Sequence, residues 1–204
     1  MTEAEKMKIA EIRAKYKYYK VADLAVKLTL QGVVDDDINY IMQGGEEIAV
    51  KPYDKSQAWL SGAMDRLAEL IPTDQAVTFR QGCACCLTGN RDTLARKICR
   101  ENPTVEARFE ALSKERRIIG GNAWKENDDY FITFWYAKPT TGYTCACLKH
   151  IPDKPMNKLW CECCAGHIKH HFETALGVKA TCTCITSVVA SCGEDACLFK
   201  LNIL

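Results

Sequence analysis

Apolar residues recur at steps of three and four through the first third of the chain, which is the period of an amphipathic helix. One such stripe runs from Ile9 through Ile12 to Leu28, where a glycine and an acidic run interrupt it. Two further segments follow the same period and end at glycine or proline. We therefore predict residues 1–72 as a helical N-terminal region, in which no residue pattern indicates chemistry. The predicted helices cover residues 9–28, 37–43 and 54–71.

The pattern changes after residue 76. Residues 77–92 contain a short apolar run, two glycines and three cysteines, and we predict a strand or extended loop that leads to a turn. Asp92 is placed to cap a helix over residues 92–102, and Pro103 begins another that ends at paired glycines.

Beyond those glycines the period becomes two, and aromatic and β-branched residues dominate, as in strands. A single helical segment, residues 165–176, interrupts them and ends at Gly177. Helices followed by strands predict an α+β fold, with N-terminal helices packed with an antiparallel sheet that carries one long inserted helix. We assign residues 73–204 to this cysteine-rich domain. The predicted strands cover residues 129–138, 143–150, 178–189 and 196–203.

Composition narrows the functional classes. The chain has 204 residues, 48% of them hydrophobic, and its 27 basic residues nearly balance its 26 acidic ones, so no net charge favours nucleic acid. The N-terminus has no signal-peptide pattern and no segment is apolar enough to span a membrane, so we expect a cytoplasmic protein. In a reducing compartment, 13 cysteines indicate metal binding or reactive thiols rather than disulfides.

Three Cys-x-Cys pairs lie in segments predicted as strands or strand ends. Residues i and i+2 of a strand point to the same face, so each pair would present two sulfur atoms together. Neighbouring pairs could then surround one ion, with the loop at Cys83 and Cys85 as a further source. Because thiolates are soft ligands, zinc is the expected metal. The alternative metals are copper(I), an iron–sulfur cluster or a corrinoid cobalt, and the alternative without a metal is an inert cysteine-rich core. The predicted metal ligands are Cys83, Cys85, Cys145, Cys147, Cys161 and Cys163.

The predicted helix at residues 165–176 supplies a second group of polar residues. Cys164, His167 and His171 fall on one helical border, whereas His170 is predicted to point to solvent. A cysteine at a helix N-terminus can be reactive, and the alternative hypothesis is therefore an enzyme, a thiol- or metal-dependent hydrolase or reductase acting on a small molecule. Its predicted catalytic residues are Cys164 and His167.

The C-terminal third has Ala165 and Gly166 at the start of its predicted helix, Leu176 and Gly177 at the helix end, and then Gly193, Glu194, Cys197, Phe199 and Leu201. In these positions it resembles the end of the 4-vinyl reductase domain. The chain is also similar to uncharacterised cysteine-rich bacterial proteins near the thiazoline carboxylate hydrolase family. These resemblances imply an antiparallel sheet covered by helices, a small apolar ligand bound in a pocket between sheet and helix, and a homodimer.

Overall fold

The computed structural model describes residues 2–85, 87–134, 136–138, 142–145, 147–148 and 150–204, with the backbone alone for 136–138. Trp135, residues 139–141 between the first two predicted strands, and the third loop cysteine, Cys86, therefore lie outside the described residues. The chain forms two compact units, Met1–Phe79 and Arg80–Leu204. None of the described helices is both long enough and apolar enough to cross a membrane.

The first unit is helical, as predicted. Its helices are α1 (Glu3–Lys15), α2 (Tyr19–Leu30), α3 (Asp35–Ile41), a short 3-10 helix (Gly45–Glu47) and α4 (Tyr53–Leu70). The predicted single stripe from Ile9 to Leu28 is wrong, because the backbone is extended at Tyr16 and Tyr18. That break buries both tyrosine rings and separates α1, which has no buried residue, from α2.

Helix α5 (Thr73–Gly82) corrects the prediction of a strand or extended loop from residue 77. Ala76, Phe79 and Arg80 are all buried and follow a helical spacing of three and one. The segment is too short for its β-branched and aromatic residues to distinguish a strand from a helix, and the packing of these three buried residues favours the helix. The loop with Cys83 and Cys85 begins where α5 ends.

The second unit has a four-stranded antiparallel sheet in the order β1-β2-β6-β5. Its strands are β1 (Ala123–Glu126), β2 (Asp129–Phe134), β5 (Ala180–Thr186) and β6 (Cys197–Ile203), and a separate hairpin joins β3 (Tyr136–Lys138) to β4 (Gly142–Thr144). Strand β1 lies outside the predicted strands, the first of which begins at residue 129. Strand β1 pairs with β2, where Trp124 stacks on Phe131 with ring centroids 5.4 Å apart.

Helices cover one face of this sheet. They are α6 (Asn90–Glu101), α7 (Val105–Lys114), the single turn α8 (Arg116–Ile119) and α9 (Glu162–Leu176), which a 3-10 helix (Lys158–Cys161) precedes. The α+β class is confirmed, with α9 inserted between β4 and β5. Helix α9 packs on β5 and against α6, and Phe172 contacts Tyr130 of β2 at 5.2 Å between ring centroids. The core is formed by alternate strand residues: Tyr130, Ile132, Phe134, Ala180, Cys182, Cys184, Cys197, Phe199 and Leu201.

Candidate metal centre

The start of α9 is held by the last turn of α5. The buried Arg80 guanidinium donates to the carbonyl oxygens of Leu159 and Trp160, at 3.5 and 3.2 Å, and stacks on the Trp160 ring. Gln81 donates to the Glu162 carboxylate at 2.9 Å and to a carbonyl of β5 at 2.8 Å. These bonds fix the turn that leads into α9, and with it the three cysteines at residues 161–164.

Gly166 permits this close approach. A Cβ atom at this position would lie 2.8 Å from the carbonyl carbon of Gln81 and 2.9 Å from its Cα, and nearer still to the carbonyl oxygen. Only glycine leaves room for the α5 backbone here. Glycine at this position is thus a packing requirement at the point where Gln81 meets α9.

Four of the six cysteines expected on strands occupy other elements. Cys161 ends the 3-10 helix and Cys163 lies in the first turn of α9, so the predicted strand pair is wrong. Asn157 accepts from the N–H of Leu159 and starts a helical turn where a strand was expected. Cys145 directly follows β4 and Cys147 lies in the next turn, so that predicted strand ends early. Helix and turn, not a sheet face, position these sulfur atoms.

Four thiols nevertheless come from two distant segments to one region. Cys161, Cys163 and Cys164 surround the N-terminus of α9, where the Cys163 and Cys164 thiols share a hydrogen bond. Cys145 approaches from the loop after β4, close enough that Cys161 and Cys163 act on its charge. The backbone N–H groups of Cys147 and Leu148 both point to the Cys145 sulfur, the latter at 3.4 Å. We call Cys145, Cys161, Cys163 and Cys164 the thiol cluster.

Burial and the neighbouring thiols keep Cys145, Cys161 and Cys164 of the thiol cluster protonated. Burial, with smaller contributions from neighbouring cysteines, raises the pKa of Cys145 to about 12. The hydrogen bond with Cys163 and burial raise the pKa of Cys164 well above its usual value. The pKa of Cys161 is also raised, first by its hydrogen bond with Cys197 and then by burial. At neutral pH these groups are thiols, and a nearby cation would be needed to ionise them.

Cys182 and Cys184 are the one predicted pair that lies within a strand. Both are buried on the same face of β5, as expected for residues two apart. Burial raises the pKa of each. The Cys184 thiol donates to the carbonyl of Thr186 at 3.3 Å, within the same strand. This pair belongs to the core beneath α9.

The loop cysteines follow the end of α5 and contact α9 through His167. Cys83 is half-buried and Cys85 is exposed, and the carbonyl of Cys85 accepts from the Nδ1 of His167 at 3.0 Å. The ligand roles assigned to Cys83, Cys85 and Cys147 stay predictions.

His167 is engaged at both ring nitrogens. Because Arg91 donates to Nε2, at 3.3 Å, the proton lies on Nδ1, which faces the Cys85 carbonyl. Burial is the main reason that the pKa of His167 falls to about 4, with the neighbouring His171 adding to the effect. The imidazole is therefore neutral at physiological pH and hydrogen-bonded away from Cys164. The catalytic roles of Cys164 and His167 stay predictions.

His170 is placed differently from the prediction. It was expected in solvent, but its Nε2 lies 3.3 Å from the carboxylate of Asp92 on α6, and its ring contacts that of buried His171. Helix α6 covers the side of α9 that points away from the sheet. Asp92 was predicted only as a helix cap, and no spacing in the sequence connects it to a histidine 78 residues later.

One comparison with known proteins gives a match. The model of a family described as "Family of unknown function (DUF6144)" matches residues 17–204. No curated protein and no solved structure matches the chain. The resemblance to the 4-vinyl reductase domain stays a prediction.

Proposed function

This chain belongs to a family of unknown function, DUF6144, and we propose that it binds a soft metal ion, zinc, through the thiol cluster. The observation that carries the proposal is the convergence of four cysteines from two segments, the loop after β4 and the start of α9. Four cysteine ligands are one of the usual sets for a closed, tetrahedral zinc site. Thiolates also select zinc or copper(I) over magnesium or calcium.

The surroundings of the cluster favour bound thiolates. The N-terminus of α9 carries the positive end of the helix dipole, which stabilises negative charge on Cys163 and Cys164. Two backbone N–H groups point to the Cys145 sulfur and favour its ionised form. Each of these features lowers the free energy of a thiolate. A cysteine that only fills an apolar core stays neutral and gains nothing from them.

A cation would reverse the effect that keeps the cluster protonated. The pKa values are raised by burial and by the neighbouring sulfur atoms, and an ion among them cancels that repulsion. Zinc binding should therefore release protons into the buffer. Within the described residues, no three of these sulfur atoms lie within 4.8 Å of one another, so zinc binding requires them to move closer together.

Metal analysis of the full chain, purified under reducing conditions and without a nickel column, tests the proposal. We expect zinc in the wild type, and one zinc per chain fewer in Cys145→Ser and in Cys163→Ser. Cys99→Ser is the matched control, because Cys99 is half-buried near Gly177, at the opposite end of α9.

The proposal is wrong if the wild type contains no transition metal and also takes up none from added zinc. Equal zinc content in Cys145→Ser, Cys163→Ser and the wild type would also contradict it. Zinc uptake without release of protons would place the ion elsewhere than on these thiols.

The hydrolase or reductase hypothesis receives no added support from the geometry. The raised pKa of Cys164 disfavours the thiolate that a nucleophile needs, and both nitrogens of His167 have other partners. The small apolar ligand and the homodimer stay predictions.

A further inference from the structure

Three possible ligand atoms for a metal ion meet between α6 and α9, apart from the thiol cluster. Asp92 lies in the first turn of α6, and His170 and His171 are adjacent on α9. The candidate ligand atoms of these three residues all lie within 4.8 Å of one another. We propose that Asp92, His170 and His171 form a second metal site, for a divalent transition-metal ion of the zinc, cobalt or iron(II) kind.

The distances suit such an ion. Nε2 of His170 and Oδ1 of Asp92 are 3.3 Å apart. Two ligands that each bind zinc at about 2.0 to 2.1 Å are separated by about 3.3 Å in a tetrahedral site. The candidate ligand atom of the third residue, His171, lies within 4.8 Å of both.

The Asp92 carboxylate is held in the orientation that the site needs. Its Oδ2 accepts from the Nε of Arg96, one turn later on α6, at 2.8 Å. Oδ1 is left facing His170. Hydrogen bonds from Arg96 and His170 hold the pKa of Asp92 below its usual value, so the carboxylate is ionised at neutral pH. An oriented second oxygen is typical of carboxylates that bind metals.

The ligand set also decides the chemical class of the ion. Two imidazoles and one carboxylate suit zinc, iron(II), cobalt and nickel, and they are poor ligands for copper(I), which prefers sulfur. The His170 side chain is 34% exposed and that of Asp92 17%, so solvent reaches the site. Three protein ligands would leave at least one position for water or a small anion.

Cobalt(II) distinguishes this site from the thiol cluster, because thiolate ligands give an intense charge-transfer absorption in the near ultraviolet and nitrogen and oxygen ligands do not. We would titrate cobalt(II) into the reduced full chain and measure both the bound metal, by equilibrium dialysis, and this absorption. Asp92→Asn and His170→Gln remove one ligand each. Asp129→Asn is the matched control, since Asp129 is likewise a half-buried carboxylate paired with a basic residue, Lys200.

We expect the wild type and Asp129→Asn to bind one cobalt ion that contributes no charge-transfer absorption. Asp92→Asn and His170→Gln should bind this ion at least about 100-fold more weakly, since loss of an outer-shell partner alone weakens binding about 10- to 100-fold. Their thiolate absorption should match that of the wild type.

Bound cobalt that always carries the thiolate absorption, or equal affinity in all four proteins, would overturn the second site. A loss in Asp129→Asn as large as in Asp92→Asn would do the same. The two proposals fail separately, because absence of the thiolate absorption counts against the thiol cluster alone.

Discussion

Gly166 offers a direct test of how α9 is positioned, through substitution by alanine. In an exposed helix interior, glycine to alanine stabilises by about 1 kcal/mol, because alanine loses less backbone entropy. At Gly166 the new methyl group would lie 2.8 Å from the Gln81 carbonyl carbon, where ordinary contact begins at 3.4 Å. The obstacle is backbone, so α5 and α9 must separate by more than half an ångström.

Separation would affect more than this one contact. Gln81 donates to Glu162 and to β5, and Arg80 donates to the turn before α9. Overpacking of a buried site destabilises by about 1–3 kcal/mol, and each weakened hydrogen bond adds about 1 kcal/mol. We therefore expect Gly166→Ala to lower the free energy of unfolding by at least about 2 kcal/mol, despite its better helix propensity.

Gly62→Ala is the matched control. Gly62 also lies inside a helix, α4, but its added Cβ would meet only the end of the flexible Arg66 side chain, at 3.3 Å. Urea unfolding followed by circular dichroism should show Gly62→Ala unchanged or slightly stabilised and Gly166→Ala clearly destabilised. If both substitutions stabilise the protein equally, the close approach of α5 and α9 is not as described.

Three further perturbations follow from the same unit. The pKa of His167 is lowered to about 4 from its usual 6.5, so the unfolded chain takes up a proton before the folded one does. The stability that this group contributes is fully present above pH 6.5 and is lost as the pH falls towards 4, by about 3 kcal/mol in total. Urea unfolding at several pH values should show a shallower pH dependence of stability in His167→Gln than in the wild type. An equal pH dependence in the two proteins would refute this expectation. Arg108→Lys replaces the two guanidinium nitrogens that donate to the carbonyls of Asn102 and Leu176 with a single ammonium nitrogen, and thermal unfolding should show a loss of about 1–3 kcal/mol. An unchanged midpoint would contradict this expectation. Phe172→Ala removes a ring that is 1% exposed, and urea unfolding should show a loss of about 3–5 kcal/mol, far more than a surface position gives.

The elements that the sequence predicts best are those whose burial alternates locally. Strand β5 buries Cys182 and Cys184 and exposes the threonine between them, so period two is visible without any tertiary information. The end of α9 is equally local, since Gly177 adopts the left-handed backbone conformation with φ 71° that favours glycine at this position. The α+β class followed from such segments.

Buried turns were harder to predict. The apolar run before Cys161 has no period, because Leu159, Trp160 and Cys161 are all buried. Such a run does not distinguish strand from helix. The deciding interactions are the Asn157 cap and the bonds from Arg80, the latter about eighty residues earlier in the chain. The position of the thiol cluster therefore depended on contacts that the local pattern does not contain.

The role of His170 was missed for a related reason. The helical period correctly separates it from the stripe of α9 that faces the sheet, and a residue opposite such a stripe is usually solvated. Here α6 packs on that side and brings Asp92 within 3.3 Å. Which elements pack around a helix is decided by the tertiary structure. The sequence pattern of α9 alone indicates only which of its faces is most apolar.

Helix α9 carries two kinds of possible metal ligand, sulfur atoms and imidazoles, at different positions along its axis. Cys163 and His170 are seven residues apart, which is about 10 Å along a helix that rises about 1.5 Å per residue. One ion cannot bridge that distance, because metal–ligand bonds are about 2.0–2.3 Å long. The sulfur atoms therefore lie with the helix N-terminus, and the imidazoles lie two turns later beside the carboxylate of α6. If both proposals hold, the two positions select metals independently, since copper(I) competes at the sulfur ligands and not at the imidazoles and carboxylate. Gly166 lies between the sulfur ligands and the imidazole ligands, so its close contact with the end of α5 would then fix the position of both sets.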